Sequence, residues 1–64
     1  MSALLAIRTK KKLSLHALAH RSGVSVSTLN ELEKTDRDPR LSTARAIEAA
    51  LGVSIDKIFP EAAK

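Results

Sequence analysis

The chain has no cysteine, tryptophan or tyrosine, and a single phenylalanine. Without cysteine, neither a disulfide scaffold nor a thiolate zinc site can form. That absence fits a reducing compartment, and a cytoplasmic location is expected. Glycine and proline occur twice each, and no internal repeat, low-complexity tract or long linker is visible. No apolar run approaches the length of a membrane span. The opening Met1-Ser2-Ala3-Leu4-Leu5 is too short for a signal core, so no membrane partner is expected. Acid is also scarce at one end. Residues 1–24 carry Arg8, Lys10, Lys11, Lys12 and Arg21 and no Asp or Glu, which is +5.

The remainder sums to −1, giving the net +4 of the whole chain. A basic end of this kind suits a polyanion such as nucleic acid, although a small excess of charge also serves solubility. With 64 residues, the chain is expected to be one domain over residues 1–64. Folding would bury roughly 60% of the unfolded surface, enough for one small core. A deep catalytic pocket is not expected, and neither a cofactor nor a small-molecule ligand is implied. With only a short stretch after Phe59, a separate ligand domain is not expected.

The most informative stretch is residues 14–34. Ser14 and Ser25 each stand just before an apolar-periodic run, where a hydroxyl can accept from the free N–H groups of an opening turn. The runs predict helices over 15–22 and 26–34, joined by Ser22-Gly23-Val24. Leu18, Ala19, Val24, Leu29 and Leu32 are spaced to fold the two helices together. Gly23 sits where the turn needs a left-handed residue. Helix, tight turn and second helix form a helix-turn-helix, whose second helix can enter the DNA major groove.

Apolar residues elsewhere also recur at three and four, so an all-α, compact five-helix bundle is expected. Helix 1 is predicted over 2–11, with Leu4 and Ile7 inward. Residues 35–40 are polar and include Pro39, and read as a loop. Helix 4 is placed after Ser42, with Ala44, Ile47, Ala50 and Leu51 inward and Gly52 ending it. Ser54 should cap a short helix 5 through Ile55, Ile58 and Phe59, closed by Pro60. Val53, Ile55, Ile58 and Phe59 either seal the core or form part of a dimer seam.

With these residues in view, the chain resembles the Cro/cI-type (Xre-like) helix-turn-helix repressors. The resemblance runs over residues 4–59. It rests on Ile7-Arg8, Leu13-Ser14, Leu18-Ala19, Gly23-Val24-Ser25, Thr28-Leu29, Leu32-Glu33, Pro39, Thr43, and Ala50 through Asp56 leading to Phe59. It implies the five-helix bundle and an ion pair between Arg8 and Glu33. A guanidinium can grip a carboxylate with two parallel hydrogen bonds, and here it would tie helix 1 to helix 3. It further implies double-stranded DNA as partner, a homodimer at least on DNA, and repression by covering a promoter.

By the family's docking, Val26, Ser27, Thr28 and Asn30 face the bases. Asn30 can pair with an adenine edge, and Val26 can touch a thymine methyl. Thr28 can instead be structural, near the turn. Leu15 stands where relatives often carry a DNA-contacting glutamine. Either it makes an apolar contact with DNA or it is a half-buried staple. Ser14, at the free N–H groups of helix 2, suits a phosphate. Lys10, Lys11, Lys34, Arg37 and Arg40 are candidates for further phosphate contacts, the last two just before helix 4.

Three departures from the family pattern stand out. Glu31 would repel a nearby phosphate. Lys12 and Thr35 replace glycines common at helix ends, so each must accept an awkward backbone or change the turn. No arginine precedes Lys34 in helix 3, which removes a strong guanine reader and points to an A·T-leaning or weakly specified site. His16 and His20 have the i, i+4 spacing of a metal pair but no evident third ligand, and read as surface residues. Asp36 and Asp38 flank a loop with no pocket-forming context. The alternative is a protein-interaction module of the same fold, an antitoxin or adaptor, with Leu5, Leu15 and Val26 as its contact face.

Overall fold

Serine hydroxyls open the two central helices. In the computed structural model, which describes residues 3–35 and 39–59, Ser14 Oγ accepts from Ala17 N–H at 3.0 Å and Ser25 Oγ from Thr28 N–H at 3.2 Å. The helices they start are α2 (Leu15–Ser22) and α3 (Val26–Lys34), at the bounds the sequence predicts. Between them Gly23 takes φ 76°, and its N–H donates to Ala19 O at 2.8 Å. The other helices are α1 (Ala3–Lys10), α4 (Leu41–Leu51) and α5 (Ile55–Ile58), with no strand among the described residues. The bundle is all-helical, as expected.

Helix ends depart from expectation where a distant or non-glycine residue takes over. The α1 helix ends at Lys10 because Lys12 turns into the left-handed region, φ 58°. Thr35 takes the other course and changes the turn. It is extended (φ −121°, ψ 161°), and its N–H and hydroxyl both donate to Glu31 O. The α4 helix begins at Leu41, not after Ser42. Ala44 is buried, so its N–H needs a partner inside the protein. Arg40 O supplies it at 2.9 Å, which makes residues 41–43 the first turn. Ser54 stands before α5, but its hydroxyl makes no capping bond. The Glu48 carboxylate, from α4, accepts from Ile55 N–H at 3.0 Å instead. Ser2, Asp36, Asp38 and Pro60 lie outside the described residues.

One core gathers all five helices: Leu4 of α1, Leu18 of α2, Leu29 and Leu32 of α3, Ala44, Ile47 and Leu51 of α4, and Ile58 with Phe59. Ile7, Ala50, Val53 and Ile55 are partly buried against it. Ile58 and Phe59 therefore serve the core, while Val53 and Ile55 keep some surface. A fully buried leucine contributes about 1.5–3 kcal/mol, so these few side chains dominate the stability. The α2 helix packs on α3 and α4, α1 packs on α3 and α5, and α4 packs on α5. The radius of gyration is 10.1 Å, close to the roughly 11 Å expected of a folded chain of this length and far below an unfolded one.

Candidate nucleic-acid interface

The α3 helix turns its apolar side inward through Leu29 and Leu32. Ser27, Glu31 and Lys34 recur at three- and four-residue steps on the opposite side, and all three are exposed. Thr28 is exposed too, and its Oγ1 accepts from the Ser25 hydroxyl at 2.9 Å. Thr28 thus belongs to the cap of α3 while remaining open to solvent. Val26 and Asn30 are half-buried. No hydrogen bond holds the Asn30 amide among the described residues, and it is not among the buried polar groups left unsatisfied, of which there are none. An amide with open donor and acceptor sites can hydrogen-bond a flat edge offering the complementary pair.

A three-way clamp fixes how α3 is presented. Arg8 Nε donates to Glu33 Oε2 at 2.5 Å and Nη2 donates to Oε1 at 3.1 Å. The third nitrogen, Nη1, donates to Leu13 O at 2.7 Å. The side chains of Arg8 and Glu33 are only 15% and 6% exposed, so little water competes for the contacts. The hydrogen bond to Glu33 raises the Arg8 pKa further above its already high ordinary value, so the guanidinium stays charged. One guanidinium therefore joins α1, the loop before α2, and the end of α3. The bond to Leu13 O has no signature in residue spacing, because any carbonyl can serve.

The cations lie around this frame. Lys10, Lys11, Lys12, Lys34 and Arg40 are exposed; Arg37 lies outside the described residues. Arg40 is the residue before α4, whose first turn has no side-chain cap. Ser14 is exposed, and its oxygen already serves Ala17 N–H, which leaves its hydroxyl proton to donate. Leu15 is half-buried and packs against the core, the placement of a staple residue. His16 and His20 are both exposed, and no group of three or more metal-ligating side chains occurs among the described residues. No helix there is long and apolar enough to cross a membrane.

A capped helix, a left-handed glycine and a second capped helix with a polar outer face define a helix-turn-helix protein. The helix-turn-helix family model matches residues 4–58, and the chain belongs to this family in its Cro/cI-type form, a class of DNA-binding regulators and not of enzymes. It is similar to the immunity repressor protein of Bacillus phage phi105, with 38% identity over 56 residues. The match takes in 88% of this chain but 39% of that relative, so the chain spans well under half of the relative's length. No solved structure matches the chain.

Proposed function

We propose that the chain is a sequence-selective double-stranded DNA-binding repressor that places α3 in the major groove. The observation that carries this reading is the outer face of α3: exposed Ser27 and Thr28, and an Asn30 amide with no partner of its own among the described residues. In that pose Asn30 pairs with an adenine edge, Ser27 and Thr28 reach bases or phosphates, and Val26 lines the groove. Lys10, Lys11, Lys34, Arg37, Arg40 and the Ser14 hydroxyl hold phosphates, which gives register but no sequence information. The protein binds an inverted repeat as a dimer, with half-site centres about 34 Å apart, and represses by occupying a promoter. The similarity to a phage immunity repressor supports this reading.

Selection of bound sequences from a random duplex pool tests it, followed by Asn30→Ala. Preference at one position per half-site should relax, at a cost of roughly 1–3 kcal/mol. Unchanged preference would remove Asn30 from the base-reading set. The competing reading, a protein-interaction module, draws on apolar surface. Leu5, Leu15 and Val26 offer little of it, since all three are half-buried; among the described residues the large apolar side chain standing exposed is Leu41, at 63%. No binding to mixed duplex DNA even at low salt would favour that module.

A further inference from the structure

Among the described residues, three helices end on a left-handed residue. Two of those residues are glycine, Gly23 at φ 76° and Gly52 at φ 70°. The third is Lys12, at φ 58°, the one non-glycine residue with positive φ among the described residues. A side chain in this conformation is strained where glycine is not. The turn around it is fully formed nonetheless. Lys12 N–H donates to Thr9 O at 2.9 Å and Leu13 N–H donates to Arg8 O at 3.1 Å, the paired bonds of a Schellman cap. A lysine thus occupies a place where the fold asks only for glycine.

We propose that Lys12 is a phosphate-binding residue, a cation held in fixed register with α3 by the cap it completes. This rests on the DNA-binding reading above. The register follows from the next residue. Leu13 packs on the core, and its carbonyl accepts from Arg8 Nη1, the same guanidinium that grips Glu33 at the end of α3. Two residues after Lys12, Ser14 caps α2, whose opening N–H groups suit an anion. Lys12 is exposed, follows Lys10 and Lys11 directly, and has no acidic neighbour in sequence before Glu31. A strained residue that carries charge, in a position braced from both sides, fits selection for the charge.

The test compares Lys12→Gly, Lys12→Gln and Lys12→Arg in salt titrations on a mixed-sequence DNA duplex, with thermal melts of each free protein. Lys12→Gly should melt higher than the wild type, because strain is relieved, yet bind DNA about fivefold to tenfold more weakly near 0.1 M salt. Its slope of log K against log salt should be shallower by about 0.9, one phosphate contact. Lys12→Gln should lose the same affinity and slope with no gain in melting temperature. Lys12→Arg should keep wild-type affinity and slope. Wild-type binding with an unchanged affinity and slope in Lys12→Gly overturns the role of Lys12 and leaves the DNA reading intact. Absence of salt-dependent binding by the wild type overturns both.

Discussion

Arg8 shows how much one side chain can organise. Each of its three guanidinium nitrogens donates, two to Glu33 and one to Leu13 O, in a setting nearly closed to water. Removing one partner leaves the other charge without compensation, which costs more than the pair contributes when intact. Glu33→Ala should therefore destabilise the fold by about 2–4 kcal/mol, read from the midpoint of chemical denaturation. A midpoint shift worth less than about 1 kcal/mol would show that water replaces the carboxylate freely. Asp56 offers a gentler case in the first turn of α5. The Ser54 hydroxyl, and then its own backbone N–H, hold its carboxyl below the ordinary range. A depressed folded pKa means stability present at neutral pH and lost as pH falls through that lowered value. An NMR titration should place the Asp56 midpoint below that of a model aspartate, and Ser54→Ala should move it upward. Asp56 is fully exposed, so its effect on global stability should be slight.

At the scale of elements, the legible parts were those specified by neighbours in sequence. Ser14, Ser25, Gly23 and Gly52 each act within one turn of themselves, and each stands where its residue type predicts. The ends that resisted reading depend on partners further away. The cap of α5 comes from Glu48, seven residues upstream, and not from the adjacent Ser54. The start of α4 follows from the burial of Ala44, which no propensity reveals. Thr35 and Lys12 stand at equivalent glycine-favouring positions yet resolve them differently, one by extension and one by strain. Sequence identified both as awkward without saying which course each takes. In the candidate site, the Arg8 and Glu33 partnership followed from bidentate chemistry and the resemblance, but the Leu13 carbonyl did not. A prediction belongs to this scale. At Gly23 there is open space for a methyl group, so Gly23→Ala meets no clash, and its whole cost is conformational. It should lower stability by about 1 kcal/mol while leaving α2 and α3 intact by circular dichroism. A loss several times larger would show that the turn also anchors something else.

The whole molecule adds what no element contains, a charge distribution, and the proposed dimer would add a symmetry. Basic groups dominate residues 1–24 and recur at Lys34, the last residue of α3, and at Arg40. If five or so of them bind phosphates in each protomer, the slope of log K against log salt should lie near −4 to −5 per protomer, and near twice that for a dimer on a full site. A slope near −1 would leave too few contacts to orient α3 at all. Symmetry makes a separate demand. Two protomers related by a two-fold axis present their α3 helices a fixed distance apart, so both can enter the same face of the duplex only when the half-sites are about one helical turn apart. Inserting about five base pairs between selected half-sites rotates one of them to the far face. Binding to the full site should then fall to that of an isolated half-site, while inserting about ten base pairs should restore at most part of it, because the separation has doubled. Equal affinity for all three spacings, measured by gel shift at one salt concentration, would mean that the protomers act singly. In that case the groove-reading face of α3 could still stand, but the dimer would not.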